Sequence, residues 1–324
     1  MSPLVSGTDN LNFDPCAGTN PVGNTQLSAL CLATGVPASR LGQVNGPIAG
    51  QVNVFLGGNR NLKAEKSNTY TLGVVINPPQ LRALSVTVDY FNINIQNAIG
   101  TFGGSPQNIV NGCYNVAQTA SSPFCQALLR NPLTGEFSGG VNYGVVEANA
   151  NNTALKTSGV DVGVSYRTDL FTKVKVSLAF NGTFTDKYDR QSDTDSTAQK
   201  CAGKFGLLCN LNPIPRWKHV AGVNLGYDQF SLLTRWRYVG AISEDAGTDI
   251  FVRRISPQSY FDLTASVAVN QRFDFNIGVQ NVTDRNPPVV GGTAGGTAYN
   301  SGNTFPNVYD SLGRTLFAGV SAKF

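Results

Sequence analysis

The side chains with the clearest chemistry in this sequence are its six cysteines. Their clustering into three local pairs favours three sequential disulfide bonds, which persist in an oxidising compartment such as the periplasm or the cell exterior. Six free thiols in a cytosolic protein are the alternative. The cysteines lie in polar segments and form no CxxC motif, and their order along the chain is Cys16 and Cys31, Cys113 and Cys125, Cys201 and Cys209.

Catalytic and metal-binding motifs are not found in the sequence. It contains no Gly-x-Ser-x-Gly, P-loop or His-Glu-x-x-His motif, so we expect neither an enzyme nor a cofactor. The acidic segment "DKYDRQSDTDS" lacks the Gly and Glu of an EF-hand loop, and we interpret it as a solvated loop. The single histidine, His219, argues against a zinc site, so no metal is expected. The net charge of +4 is too small to indicate nucleic acid as a partner.

Four charged residues occupy alternate positions in strand-like segments. In "FSLLTRWRYVG", Arg235 and Arg237 alternate with apolar residues, and Asp262 and Asp274 do so in "YFDLTASVAV" and "FDFNIGVQN". A period of two places all the charges on the polar face of each strand. There they either attract an anionic solute or pair with one another, and we favour pairing of the arginines with Asp262.

Alternation of this kind recurs along the chain and predicts about ten strands. The connections alternate between short turns, such as "NPPQLRA" and "NQR", and long polar loops at roughly 96–140, 188–215, 244–257 and 285–308. Short turns at one end and long loops at the other are typical of an outer-membrane β-barrel, in which the charged faces line a wet lumen. A soluble sandwich or propeller explains the loop lengths less well.

The segment "GGNRNLKAEKSNTYTLGVVINPPQLRALSVTVDYFNINIQNAI" resembles the TonB-dependent outer-membrane receptors. Its family motif is matched except that Ala64 replaces the usual proline. The stretches "ALKTSGVDVGVSYR", "FDFNIGVQNVTDRNPP" and "LGRTLFAGVSAKF" resemble later strands of that barrel, and "CYN…PFC" and "CAGKFGLLC" resemble a subgroup with disulfide-tied extracellular loops. The matching motif residues are Gly58, Asn59, Asn61, Leu62, Lys63 and Glu65.

The resemblance implies an all-β fold, an antiparallel transmembrane β-barrel segment. The family has a signal peptide, an energy-coupling box, a plug domain and 22 strands, whereas this chain shows about ten strands and no plug. We therefore expect the C-terminal part of a longer receptor, with residues 1–48 as an extracellular loop segment and 49–324 as barrel strands. The terminal Phe324 resembles the signal read by the outer-membrane barrel assembly machinery.

By the same resemblance, the full receptor lies in the outer membrane of a Gram-negative bacterium and is surrounded by outer-membrane lipid. It takes up a scarce small solute, with ferric siderophores, cobalamin and oligosaccharides as candidates, and the TonB complex acts through the missing N-terminal part. Loop aromatics are candidates for stacking on sugars or catecholates. The alternatives are a small passive porin and a surface β-protein or adhesin. The loop aromatics are Tyr114, Phe124, Tyr143 and Tyr299.

Overall fold

The computed structural model describes residues 5–171, 173–191, 198–206, 209, 213–245, 252–270, 272–290 and 303–322. These residues form two compact units. Unit 1 contains residues 5–67, 95–154 and 191, and unit 2 contains the described residues of 68–94, 155–190 and 198–322. None of the helices described is long and apolar enough to span a membrane.

Strands dominate the structure. Three α-helices are present among the described residues, α1 (Thr25–Ala33), α2 (Pro106–Asn111) and α3 (Pro123–Gln126), and a π-helical turn, Gly112–Ala117, follows α2. Three 3-10 helices are also present, Ala38–Arg40, Ile48–Gly50 and Pro79–Leu81. The strands are β1 (Val5–Asn10), β2 (Gln51–Leu56), β3 (Lys66–Ile76), β4 (Leu84–Thr101), β5 (Leu128–Leu129), β6 (Gly144–Val146), β7 (Asn149–Leu170), β8 (Val174–Gln191), β9 (Gln199–Lys200), β10 (Lys204–Phe205), β11 (Trp217–Tyr227), β12 (Phe230–Val239), β13 (Ile242–Glu244), β14 (Arg254–Ile255), β15 (Gln258–Ala268), β16 (Phe273–Gln280) and β17 (Thr315–Ala322).

The largest element is a ten-stranded sheet. Its strands follow the order β17-β16-β15-β12-β11-β8-β7-β4-β3, with β9 paired beside β8, so β17 and β3 form its edges. The pairs from β8 to β17 are antiparallel and in continuous register. The predicted all-β fold of about ten strands is confirmed.

Strand register divides the sheet into an apolar face and a polar face. Ala221 of β11 lies opposite Phe180 of β8 and Trp236 of β12, so these side chains share the apolar face. The apolar face continues through Phe261 and Leu263 of β15, which leave 39% and 38% of their surface exposed. The polar face carries the interleaved residues, because successive side chains of a strand point to opposite sides.

Connections in unit 2 alternate in length as the sequence predicted. Short turns join β11 to β12 at Asp228 and Gln229, and β15 to β16 at residues 269–272. Longer segments, residues 240–257 and 281–314, join β12 to β15 and β16 to β17. Since neighbouring strands run antiparallel, the short turns collect at one end of these strands and the long segments at the other.

The long segments of unit 2 share a small hydrophobic core of their own. β10, β13 and β14 form a three-stranded sheet, and the Cys201–Cys209 disulfide closes the loop that leads into β11. Phe205 and Phe305 meet edge-on, with ring centroids 5.8 Å apart. The buried members of this core are Phe205, Ile242, Ile255, Val290, Phe305 and Tyr309.

Unit 1 is built around a four-stranded sheet in the order β1-β2-β6-β5, with α1, α2 and α3 completing its core. The side chain of Asn24 caps α1 by accepting from the backbone N–H of Leu27, and Ser105 and Ser122 cap α2 and α3 in the same way. The disulfides Cys16–Cys31 and Cys113–Cys125 lie within this core. All three disulfide bonds of the structure therefore join cysteines that are neighbours in sequence order.

A buried ion pair joins distant parts of unit 1. The guanidinium of Arg130 donates to both carboxylate oxygens of Asp14, at 2.7 and 2.8 Å, and to the carbonyl oxygen of Gly135. Both side chains are almost completely buried, at 0% and 1% exposure. Burial by itself lowers the pKa of Arg130, but the hydrogen bond and charge of Asp14 outweigh it, so the pKa is raised and the guanidinium stays charged.

Removing one partner of this pair is expected to open unit 1. Asp14→Ala leaves a buried, uncompensated guanidinium, which costs about 3–5 kcal/mol. Hydrogen exchange followed by mass spectrometry should then be roughly 150- to 4,000-fold faster in peptides from residues 5–56. Arg235→Ala in unit 2 is the control, because that side chain is 43% exposed in its own ion pair. Unchanged exchange in unit 1 for Asp14→Ala would show that the pair is dispensable.

Glu147, between β6 and β7, is buried without a partner for one carboxylate oxygen. Its backbone N–H donates to the carbonyl of Phe55, but Oε1 has no hydrogen-bond partner among the described residues. Burial, with a smaller contribution from the charge of Asp9, raises the pKa of Glu147 to about 7. Near neutral pH this carboxyl group is therefore poised between its neutral and charged forms.

Unit 1 is expected to lose stability as this group ionises. Because the folded-state pKa is raised from 4.5 to about 7, the unfolded chain releases the proton first, and stability falls as pH rises across that interval. Glu147→Gln should abolish this part of the pH dependence, measured by hydrogen exchange of unit 1 peptides at pH 5 and pH 8 after correction for intrinsic rates. Glu136→Gln, whose parent carboxylate is bonded to Asn45 and Ser138, is the control. An equal slope in Glu147→Gln and wild type would contradict the assignment.

Candidate functional site

Three charged side chains meet on the polar face of β12 and β15. Arg235 and Arg237 each donate from Nε to the same oxygen of Asp262, at 2.9 Å. Asp262 is 4% exposed, whereas Arg235 and Arg237 are 43% and 26% exposed. Strand register explains the meeting, because Asp262 lies directly opposite Arg235, and Arg237 is two residues further along the same face. The arginines are thus paired with Asp262, the arrangement that the sequence analysis favoured.

The same cluster holds the segment that connects β16 to β17. Arg237 pairs with Asp310 of that segment through both terminal nitrogens, and its guanidinium lies 5.1 Å from the centre of the Tyr260 ring. Asp262 also accepts from the backbone N–H of Asn281, at 2.9 Å. Charge-assisted hydrogen bonds therefore link the polar face of the strands to the connecting segment.

Asn281 organises the start of this segment. It is fully buried, its side chain exchanges two hydrogen bonds with the backbone of Arg285, and its own backbone has a φ of 53°. Asparagine tolerates this left-handed conformation better than most residues. Asp284, which also has a positive φ, accepts from the N–H of Arg314, so the Asn-x-x-Asp turn joins both ends of the segment.

A cavity of about 430 Å³ lies in unit 2, between polar-face positions of β8 and β11 and the connecting segments. Lys218 supplies the positive charge of its wall, Thr157 and Thr185 supply hydroxyl groups, and Tyr188 supplies a phenol. Asn307 contributes an amide, and Pro213 contributes apolar surface. This combination suits a ligand that carries both hydrogen-bonding groups and negative charge.

The motif residues at 58–65 have structural roles within unit 1. Asn59 forms a turn by accepting from the N–H of Asn61, at 2.9 Å. The backbone of Lys63 exchanges two hydrogen bonds with the side chain of Asn151, and Glu65 accepts from the N–H of Ile99 at 2.6 Å. These bonds explain the residue types at Asn59 and Glu65, because each of those side chains replaces a missing backbone partner, whereas Lys63 takes part through its backbone alone.

His219 belongs to the apolar face and not to the polar cluster. Its Nδ1 accepts from the indole N–H of Trp217 at 2.9 Å, and its ring stacks on Tyr238 with centroids 5.0 Å apart. Trp236 meets the imidazole edge-on at 4.4 Å. The histidine is therefore part of an aromatic cluster.

The remaining predicted residues fall in different places. Asp274 shares the polar face but pairs opposite Ala268 and Ser321, near the short turn. Phe324, proposed as the assembly signal, lies outside the described residues, as do Tyr299 and part of the acidic segment. Tyr114 and Phe124, two of the candidates for stacking on a ligand, are both buried in the core of unit 1. Tyr143 is half-buried.

Sequence reasoning missed several residues that the structure brings to these sites. Asp310 and Asn307 lie in a loop with no periodic pattern, and Lys218 stands in the run "RWKH", where no pattern distinguishes it from Arg216. Asp14 and Arg130 are separated by 116 positions, so no local signal relates them.

Substitution of Asp262 is expected to release the connecting segment. Asp262→Ala removes the acceptor of four N–H donors, one from Arg235, two from Arg237 and one from the backbone of Asn281, and each such hydrogen bond to a charged group contributes about 1.5–3 kcal/mol. Amide exchange at Asn281 and Arg285 should become roughly 10- to 100-fold faster. Asp274→Ala, on the same face near the short turn, is the matched control. Equal effects of the two substitutions would refute a special role for Asp262.

The sequence and the fold are similar to those of known proteins. The family model "TonB dependent receptor-like, beta-barrel" matches residues 21–282. A comparison with curated protein sequences gave no match. A mutant of the ferric enterobactin receptor PfeA from Pseudomonas aeruginosa is similar in structure, with a TM-score of 0.51 and 17% identity over 84% of this chain and 33% of that chain.

Two further structures are similar. A PfeA mutant in complex with enterobactin has a TM-score of 0.50 and 16% identity over 84% of this chain and 33% of that chain. The FrpB iron transporter from Neisseria meningitidis has a TM-score of 0.49 and 15% identity over 83% of this chain and 33% of that chain. This chain thus spans about a third of the length of these proteins, and at such identities the likeness shows the fold alone. Because the family model matches most of its residues, this chain belongs to the TonB-dependent receptor family, through its β-barrel region, and the members of that family are transporters and not enzymes.

Proposed function

We propose that this chain is the C-terminal barrel portion of an outer-membrane receptor for the active uptake of a scarce solute. The observation that carries the proposal is the two-faced sheet, in which an apolar face lies between two rows of aromatic side chains. Toward the long connections the face carries Trp217, with Trp236 and Phe261 in register with Ala221 four residues further along, and at the short turns it carries Tyr227 and Phe230.

The spacing of these rows fits a bilayer. Trp217 and Tyr227 are ten residues apart on β11, or about 33 Å along an extended strand. At a tilt of about 45° this corresponds to a height of about 24 Å, close to the apolar band of outer-membrane barrels. Aromatic residues favour both edges of such a band, because their rings combine an apolar body with a polar edge. Outer-membrane lipid is accordingly the proposed surrounding of the apolar face.

The solute is proposed to enter from the side of the long connections. The cavity around Lys218 lies at that end of unit 2 and offers charge, hydroxyl groups and an amide. The PfeA structures are named for ferric enterobactin, so a ferric siderophore is one candidate for this chain, beside cobalamin and oligosaccharides. Arg235 and Arg237 already form ion pairs with the carboxylates of Asp262 and Asp310. This favours Lys218 as the cation that binds a solute.

Uptake against a gradient needs energy and a moving part. In this proposal the TonB complex supplies both through an N-terminal part of the receptor, and the barrel assembly machinery inserts the barrel after reading a terminal signal at Phe324. A passive porin and a surface adhesin are the competing functions. They differ from the receptor in energy dependence and in their need for a membrane.

The proposal is tested by solute uptake in cells that carry the native gene. Labelled ferric catecholate, cobalamin and maltooligosaccharide are supplied in turn, with and without a protonophore. We expect uptake of one solute, abolished by the protonophore. Lys218→Ala should raise the half-saturating concentration about 10- to 100-fold through loss of a charged hydrogen-bond donor. Lys175→Ala, on the same face near the short turn, should leave it unchanged.

Two outcomes would overturn the receptor assignment. Uptake that ignores the protonophore indicates a passive porin. A chain that is monomeric and soluble in plain buffer when expressed alone indicates a surface β-protein, because the apolar face of the sheet would then be compatible with water.

A further inference from the structure

Unit 1 contains a surface cavity of about 240 Å³ that no transport step described above requires. Its walls are formed largely by carboxamide side chains from two separate segments, and its floor is formed by buried Pro15, Leu30 and Tyr114. The wall residues are Asn20, Asn24, Gln26, Asn115 and Gln118.

Covalent and ionic bonds hold the floor rigid. Each floor residue is the direct neighbour of a disulfide-bonded cysteine, namely Cys16, Cys31 or Cys113. The phenol oxygen of Tyr114 is 2.5 Å from Oγ1 of Thr34 and accepts from Arg130 at 3.1 Å. The cavity is therefore pre-formed, so a ligand does not have to order its walls.

The walls present hydrogen-bonding groups of both kinds. Gln26 donates from Nε2 to Oε1 of Gln118 at 2.9 Å, which leaves the carbonyl oxygen and one N–H of Gln26 and both N–H groups of Gln118 outside this bond. Asn24 uses its oxygen to cap α1 and keeps its amide N–H groups. Adjacent donors and acceptors of this kind match the vicinal hydroxyl groups of a sugar, each of which both donates and accepts.

Charge is missing from the lining. None of the described residues that line the cavity is Asp, Glu, Lys, Arg or His. The charges beneath it, on Asp14 and Arg130, are buried and neutralise each other. A phosphate, a carboxylate or an ammonium group would be desolvated here without an ionic partner, so a charged ligand is disfavoured.

The volume of the cavity and the apolar surface at its rim narrow the class of ligand further. A cavity of this volume holds about eight waters at about 30 Å³ each, and it is smaller than the roughly 300–1,000 Å³ of drug-sized pockets. It suits one six-membered sugar ring. Phe13 at the rim is 51% exposed and offers an aromatic face to the C–H groups of such a ring.

From these observations we propose that the cavity binds a single neutral hexopyranose ring, free or at the end of a glycan, between the carboxamide walls and Phe13. This site lies in unit 1, and no step of the transport proposal uses it. It therefore remains open to test whatever solute the receptor carries.

The experiment uses the whole chain in a detergent without a sugar headgroup. The methyl glycosides of glucose, galactose, mannose and N-acetylglucosamine are titrated and followed by saturation-transfer NMR, with methyl glucuronide as the charged probe. We expect saturable binding of at least one neutral glycoside with a Kd on the order of 1 mM, because only one ring is buried. The glucuronide should bind no more tightly than its neutral counterpart.

Variants separate the cavity from the rest of the surface. Gln26→Leu removes one wall amide and its bond to Gln118, and Phe13→Ala removes the rim ring; each should weaken binding about two- to tenfold. Gln126→Leu and Phe171→Ala change the same residue types outside the cavity and should have no effect. Hydrogen exchange verifies that unit 1 remains folded in each variant. The proposal is overturned if no glycoside binds saturably at 20-fold the expected Kd, if the control variants weaken binding equally, or if the glucuronide binds best.

Discussion

Backbone pairing in continuous register is the interaction on which the large sheet depends. From β8 to β17 each strand is paired with its neighbours without a shift, so a residue such as Ala221 faces the same side as Phe180 and Trp236. A slip of one residue would place Arg235 and Asp262 among the aromatic side chains and put Trp236 on the polar face. In an apolar surrounding, an unpaired backbone group and an uncompensated charge each cost several kcal/mol. Register therefore decides at once where the apolar face lies and where charges can meet.

In both units, ion pairs link segments that are distant in sequence, but the pairs are buried to different extents. In unit 1 the Asp14–Arg130 pair is removed from water and lies at the centre of a disulfide-bonded core. In unit 2 Asp262 is buried, whereas the arginines that bind it remain partly exposed. The first arrangement is costly to break because a lone charge would be left in the core. The second leaves each arginine accessible to water while it holds a connecting segment in place.

The long connections are ordered by packing, and this changes how their side chains can serve a ligand. Tyr114 and Phe124, which look like loop aromatics in the sequence, fill the core of unit 1. Their places at the surface are taken by carboxamides and by Phe13. In unit 2 the connecting segments share a core that includes Phe205 and Phe305. The residues of these segments that line the Lys218 cavity are therefore held by a packed core. In both units, the cavities are thus lined largely by side chains that are not part of the hydrophobic cores.

The sequence by itself determined the strands, their two faces, the alternation of short and long connections, and the family resemblance. These features are local, because a period of two and the chemistry of turns are written into neighbouring residues. The same reasoning placed Arg235, Arg237 and Asp262 on the polar faces of their strands. Tertiary structure alone decided that Arg237 also binds Asp310, that Asp14 meets Arg130, and that amides from two distant segments enclose a cavity. Such meetings depend on how whole segments pack in three dimensions, and no local pattern encodes a contact between residues a hundred positions apart.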